Sequence, residues 1–103
     1  MIKVTVMYPN GPGAKFDMNY YVKKHMPMVQ QRCGAACKSI SAEGGIGGGA
    51  PGSSAPYIAV GQLTFDSVAA FQQAFGAHAA GIMADIPNYT NTTPVVQVGE
   101  VTL

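Results

Sequence analysis

Hydrophobic and polar residues alternate along four short segments of the chain, and this period of two predicts β-strands. The four predicted strands cover residues 2–8, 38–42, 57–65 and 94–103. Two other segments carry apolar residues at helical spacing. They predict one helix from about Met18 to Cys33 and a second helical region over residues 67–85. Gly76 lies inside the second region, which is therefore either one helix or two short ones.

The order of these elements is β-α-β-β-α-β, which predicts an α+β, ferredoxin-like fold. In this fold a four-stranded antiparallel sheet carries both helices on one face. The chain has 103 residues, which fits a single domain over residues 1–103. Residues 44–56 are rich in glycine, proline and serine and predict a flexible loop between two strands. The loop has no lysine and no helical pattern after it, so it matches no phosphate-binding motif.

The first predicted helix carries signals for its start, its interruption and its end. Asp17 comes just before it, and a carboxylate at that position accepts hydrogen bonds from the free amides of the first turn. Pro27 removes one backbone donor inside the helix, which predicts a kink or a restarted turn near His25 and Met26. Gly34 marks the end of the helix.

His25 is the main candidate for chemistry because of its position on this helix. At 100° per residue, one seam of the helix contains Met18, Val22, His25, Val29 and Cys33. An ionisable side chain on such an apolar face needs a buried partner or lines a cavity. We therefore expect His25 to act as an acid/base in an apolar pocket. The alternative is a core histidine bonded to a backbone carbonyl or to a tyrosine hydroxyl.

Tyr21 lies on the flank of the same seam, and its hydroxyl is expected to orient His25 or to polarise a carbonyl of the substrate. The alternative is a structural tyrosine, with its ring buried and its hydroxyl bonded to the backbone. The residues expected to contact the substrate are Tyr20, Met28, Phe65 and Tyr89. Tyr89, Asn88 and Asp85 follow the second helical region and could reach the mouth of the pocket, but turn formation is the favoured alternative for all three.

The composition indicates that a second subunit covers part of the surface. Hydrophobic residues make up 48% of the chain and charged residues only 11%. We expect the helix-free face of the sheet to be too apolar for water, with either Tyr57, Leu63 and Phe65 or Ile58 and Val60 on it. Two such faces packed together would form a homodimer.

Charge and cysteine content restrict the partners and the location. The net charge is +1 with no basic run, which argues against nucleic acid and against an anionic membrane surface. No apolar run reaches the ~20 residues that span a bilayer. Cys33 and Cys37 are predicted to be free thiols of a cytoplasmic protein. Two thiols without further ligands do not form a zinc site, and no haem or flavin motif is present, so we expect neither a metal nor a cofactor.

Two long segments resemble the EthD family. The first runs from Tyr8 to Val29 and contains the pattern F-D-x-x-Y-Y-x-x-x-H-x-P, and the second runs from Asp85 to Val101. The resemblance implies a homodimeric α/β barrel built from ferredoxin-like protomers. The family is named after a bacterial protein encoded with a cytochrome P450 system that degrades ethyl tert-butyl ether. Related dimeric barrels include cofactor-free monooxygenases, muconolactone isomerases, and lyases or cyclases of aromatic polyketides.

By this resemblance, the protein is expected to bind a small, largely apolar metabolite. If it is an enzyme, it would be a cofactor-independent oxidoreductase (monooxygenase), isomerase or lyase in the degradation of ethers or aromatics, with His25 as acid/base. The alternative is a non-catalytic protein that holds a ligand for a partner oxidoreductase such as a cytochrome P450 system. A shared fold does not decide between these functions.

Overall fold

The structure is a computed structural model that describes residues 1–103. The strands are β1 (Ile2–Pro9), β2 (Ser39–Gly44), β3 (Tyr57–Phe65) and β4 (Val95–Glu100). The helices are α1 (Met18–Tyr20), α2 (Met26–Cys33), α3 (Val68–Gly76) and α4 (Ala79–Ala84). A π-helical turn, Tyr21–His25, joins α1 to α2, and short 3-10 turns at Gly34–Ala36 and Ile86–Asn88 follow α2 and α4.

The four strands form one antiparallel sheet in the order β2-β3-β1-β4. This order and the sequence of elements confirm the predicted ferredoxin-like α+β fold. β3 has the predicted bounds, whereas β2 begins one residue later than predicted and β4 ends at Glu100. The second helical region consists of two helices, α3 and α4, separated after Gly76. None of the helices is long and apolar enough to cross a membrane.

One face of the sheet is covered by the helices and forms the core. Alternate residues of β1 and β3 point into it, so that Val4 lies opposite Leu63 and Ile2 lies opposite Phe65. Tyr21, Met26 and other buried residues of the first helical run pack onto this face. We call it the covered face.

The π-helical turn changes which residues of the first helical run are buried. The amide of Met26 donates to the carbonyl of Tyr21, five residues earlier, and Pro27 follows with no amide hydrogen of its own. The helix therefore restarts at Met26, as the proline predicted. Because the wider turn rotates the helix, Tyr21 is 1% exposed, whereas Val22 is 43% exposed. The prediction that Val22 lies on the buried seam is wrong for this reason.

The other face of the sheet carries no helix, and we call it the open face. Of the two sets of residues expected on it, Leu63 and Phe65 are buried on the covered face, and Val60 of the other set lies on the open face. The strand register places three rows of side chains across the open face. One row is mainly apolar and contains Glu43, Val60, Met7 and Val95. The second row is polar and contains Ser41, Gln62, Thr5 and Gln97. The third row is also polar and contains Ser39, Thr64 and Lys3. The open face is thus apolar in one row only, whereas the expectation was a face too apolar for water.

The two helical layers cover the sheet unequally. The run from α1 to α2 contributes five buried residues, whereas α3 contributes none and α4 contributes only Ile82. Phe71 and Phe75 of α3 are half-buried. The space that α3 and α4 leave above the sheet is the cavity described next.

Candidate functional site

A cavity of about 360 Å³ lies between the helices and the covered face of the sheet. Most of its wall is apolar and includes Val4, Leu63, Phe71, Phe75, Ile82 and Val96. The lining residues with nitrogen or oxygen in their side chains are Tyr8, Tyr21 and His25. A cavity of this size and composition suits a small, largely apolar molecule with few polar groups.

His25 ends the π-helical turn and is 4% exposed. Its Nδ1 lies 2.8 Å from Oδ2 of Asp85, which follows α4. The other carboxylate oxygen of Asp85 accepts hydrogen bonds from the Tyr20 hydroxyl at 2.7 Å and from the Asn88 side-chain amide at 2.9 Å. Asp85 is thus held in place by three donors, and it in turn orients the imidazole.

The environment makes His25 neutral and Asp85 ionised near pH 7. Burial lowers the pKa of His25 below its ordinary value, and the hydrogen bond and charge of Asp85 offset this effect only in part. For Asp85, burial alone would raise the pKa, but the hydrogen bonds from Tyr20, Asn88 and His25 outweigh it and lower the pKa. A neutral imidazole whose Nδ1 hydrogen points at a carboxylate leaves Nε2 as a base.

The Nε2 side of the imidazole is next to two tyrosine hydroxyls. The hydroxyl of Tyr89 lies 3.3 Å from Nε2, and the hydroxyl of Tyr8 lies 2.7 Å from that of Tyr89. Burial raises the pKa of Tyr8 and of Tyr89 above the ordinary range of tyrosine. Both phenols are therefore neutral at physiological pH, and the site holds a connected set of neutral hydroxyls beside a neutral base.

Tyr21 forms the floor of the site. Its ring stacks on the imidazole of His25, with 5.5 Å between ring centroids and 12° between the planes. Its hydroxyl lies against the backbone of Gly61 on β3, where the Cβ of any other residue would overlap with that oxygen. A glycine at this position of the strand is therefore what allows the tyrosine ring to lie under His25.

The predicted site residues occupy different positions around the cavity. His25 and Tyr21, predicted to be catalytic, both line it. Of the four residues predicted to contact substrate, none belongs to the lining. Tyr89 lies behind the wall and is bonded to His25, Tyr20 is bonded to Asp85, and Phe65 is fully buried beneath Phe71. Met28 is half-buried at the edge of the core.

Asp85 and Tyr8 take part in the site although the sequence argument gave neither a chemical role. For Asp85 a turn was favoured over a place at the mouth of the pocket; it does precede a 3-10 turn, and its carboxylate also reaches back 60 positions to His25. Tyr8 was only one of the apolar positions of the first strand, and its partner Tyr89 lies 81 positions away. No pattern among neighbouring residues predicts contacts between positions so far apart in the chain. The one feature of the sequence that could have drawn attention to Asp85 is that the chain contains only five acidic residues.

The structure contains no cluster of three or more His, Cys, Asp or Glu side chains that could hold a metal ion. Cys33 and Cys37 are both buried and unpaired, and burial raises the pKa of each thiol. The candidate site therefore consists of His25, Asp85 and the tyrosines around them.

Comparisons with known proteins place the chain among the EthD proteins. The EthD domain model matches residues 13–93. The chain is 44% identical to an EthD-like protein from Ralstonia eutropha JMP134, with a TM-score of 0.94 over 99% of this chain and 92% of that one. This agreement confirms the resemblance found in the sequence motifs. No curated protein matches the sequence.

Two more distant crystal structures share the fold. An EthD family protein from Bacillus halodurans C-125 is 16% identical, with a TM-score of 0.74 and coverage of 99% of both chains. HapK from Hahella chejuensis is 13% identical, with a TM-score of 0.60 over 97% of this chain and 92% of that one. At these identities the likeness concerns the fold alone.

Proposed function

Because the chain belongs to the EthD family, we propose that it binds a small, largely apolar metabolite in the cavity and that His25 acts on it as an acid/base. The observation that carries the proposal is the hydrogen bond between His25 and Asp85 at the edge of an apolar cavity. A neutral imidazole held by a carboxylate is a general base that can take a proton from a bound molecule. Tyr21 positions that molecule from the floor of the site.

The reaction class follows from what one base in a dry cavity can do. Removing a proton from a ligand is the first step of cofactor-independent oxygenation, isomerisation and elimination alike. We propose an oxidoreductase, isomerase or lyase of this type that acts on an ether or aromatic compound. The apolar walls, including Phe71 and Phe75, favour the aromatic ligand because flat rings pack well against aromatic side chains.

A second candidate function is a carrier that holds the same ligand for a partner oxidoreductase. One observation favours it: both ring nitrogens of His25 already have protein partners, Asp85 and Tyr89. Under this proposal the hydrogen bonds would keep the imidazole neutral and the pocket rigid, without proton transfer. The two functions are separated by comparing turnover of an identified substrate by wild type and by His25→Gln. Turnover that survives the substitution would remove His25 from catalysis.

Binding itself can be tested without knowing the ligand, with naphthalene as a probe. Val96→Trp places a large ring in the cavity wall and should weaken naphthalene binding by at least about tenfold, measured by fluorescence titration. Val98→Trp is the matched control, because Val98 lies two residues further along the same face of β4 and does not line this cavity. No naphthalene binding by wild type, or equal binding by both variants, would contradict the proposed use of the cavity.

We also propose a cytoplasmic homodimer that packs through the open face. The low charge content, the apolar row of Val60, Met7 and Val95, and the half-exposed state of Val95 support the dimer. The free thiols of Cys33 and Cys37 fit a reducing compartment.

A further inference from the structure

A continuous chain of hydrogen bonds links the cavity to the carboxylate of Asp85. Tyr8 contacts Tyr89 at 2.7 Å, Tyr89 contacts Nε2 of His25 at 3.3 Å, and Nδ1 of His25 contacts Asp85 at 2.8 Å. Tyr8 and His25 line the cavity and Tyr89 does not, but both ring nitrogens of His25 already have partners, so Tyr8 is the member that can bond to a ligand. We call these four residues the relay.

The direction of each hydrogen bond in the relay follows from the charge at its end. An ionised carboxylate only accepts hydrogen bonds, so the bond between His25 and Asp85 requires the hydrogen to be on Nδ1. In a neutral imidazole the other nitrogen then carries a lone pair. Nε2 therefore accepts from the Tyr89 hydroxyl. Tyr20 and Asn88 reinforce this direction because both donate to the same carboxylate.

The direction of the hydrogen bond between Tyr8 and Tyr89 is fixed in the same way. A tyrosine hydroxyl has one hydrogen to donate, and that of Tyr89 is used on Nε2. The bond between the two hydroxyls must then run from Tyr8 to the oxygen of Tyr89. With its hydrogen committed to Tyr89, the oxygen of Tyr8 can only accept a hydrogen bond from a molecule in the cavity.

We propose that this polarity makes the site select ligands with a weakly acidic O–H group, such as a phenol or an enol, over ethers of the same carbon skeleton. The other phenol of the lining, Tyr21, directs its hydrogen to the oxygen of Tyr8, so neither hydroxyl is free to donate to an ether oxygen. A phenol or enol, in contrast, can itself donate to Tyr8. The inference rests on the proposed function, since it requires that a ligand occupies the cavity. It adds to that function the chemical class of the ligand and a role for Tyr8, as the residue that touches it.

The relay also provides a route for the ligand's proton. The ligand O–H bond breaks as a new O–H bond forms on Tyr8, the former proton of Tyr8 passes to Tyr89, and that of Tyr89 passes to Nε2 of His25. The products are a ligand oxyanion and an imidazolium beside the Asp85 carboxylate, and both tyrosines end as they began. No electron is gained or lost. The high pKa of the buried tyrosines agrees with this step, because it keeps them protonated throughout.

The test compares 2-naphthol with 2-methoxynaphthalene, which has no O–H group, by fluorescence titration. Wild type should bind 2-naphthol about fivefold more tightly, the ratio expected for one net hydrogen bond. In Tyr89→Phe the hydrogen of Tyr8 loses its acceptor and becomes available to the ether oxygen, so the preference should disappear or reverse. The matched control is Tyr57→Phe, which removes a tyrosine hydroxyl outside the cavity and should keep the wild-type preference.

A second measurement needs no variant. Absorption of 2-naphthol bound to wild type at pH 7 should remain that of the neutral phenol, because burial disfavours the imidazolium that a bound naphtholate would require. Equal affinity of wild type for both probes, or an unchanged preference in Tyr89→Phe, would overturn the inference while the proposed function stands. Failure of wild type to bind either probe would overturn the proposed function and the inference with it.

Discussion

The two faces of the same sheet differ in what covers them, and the difference separates the site from the surface. Phe65 and Thr64 are neighbours on β3, yet Phe65 is fully buried under the helices and Thr64 lies on the open face. On the covered face, hydroxyls and imidazole join into one relay that ends in a carboxylate. On the open face, polar groups pair only with their neighbours across the strands, as Thr64 does with Ser39 at 2.6 Å. Burial thus places the side chains with shifted pKa values on the covered face of the sheet.

The largest expected effect tests the contrast in packing. Phe65→Ala should lower the free energy of unfolding by about 3–5 kcal/mol, because it leaves a cavity beside Phe71, whose ring centroid is 5.2 Å away. Thr64→Ala should cost less than about 1 kcal/mol, since it removes one exposed hydrogen bond. Urea denaturation followed by circular dichroism measures both. Similar losses in the two variants would show that the faces do not differ in packing as described.

The next effect concerns what covers the open face. Val60→Lys puts a charge into its apolar row, and we expect the proposed homodimer to dissociate at least about tenfold more readily. Sedimentation equilibrium over a range of protein concentrations measures the change. Val22→Lys is the matched control, because Val22 is an exposed valine on the helical side of the molecule. A monomeric wild type at micromolar concentration would refute the homodimer outright.

The smallest expected effect is the pH dependence that the covered face imposes through His25. Its pKa in the folded chain lies below that in the unfolded chain, about 6.5, because burial disfavours the imidazolium. Between these two values the unfolded chain binds a proton that the folded chain does not, so stability falls as the pH decreases through this interval. The lowered pKa of Asp85 acts in the same direction, but only below the ordinary pKa of an aspartate.

His25→Gln should remove the loss of stability between about pH 6.5 and the folded pKa of His25. Urea midpoints measured across this range for wild type and variant provide the comparison. A wild type whose urea midpoint is constant across this interval would show that His25 titrates as it does in the unfolded chain.

Local signals in the sequence predicted the elements well. β3 has the expected bounds, Asp17 caps the first helix through a 3.0 Å bond from the Tyr20 amide, and the chain restarts as a helix at Met26 ahead of Pro27. Each of these depends on neighbours within a few positions, which is the range over which periodicity, caps and prolines act. The motif around His25 also predicted the family that the comparisons confirm.

Helical periodicity led to a wrong prediction where one turn of the first helical run departs from α-helical geometry. An ideal helix of 3.6 residues per turn placed Val22 on the buried seam, but the π-helical turn rotates it outwards and brings Tyr21 inwards. Two alternatives stayed open for the exposed face of β3 for a related reason. Alternation shows that Leu63 and Phe65 share one face, but it cannot show which face the helices will cover.

By itself the sequence determined the elements, their order and the presence of His25 on a largely apolar helix, because these depend on local periodicity and composition. Only the tertiary structure decided what His25 does next to Asp85, Tyr89 and Tyr8. These contacts join residues far apart in the chain, and they form because the fold brings the end of α4 and the first strand to the same imidazole. Burial then decides which of the assembled groups are charged.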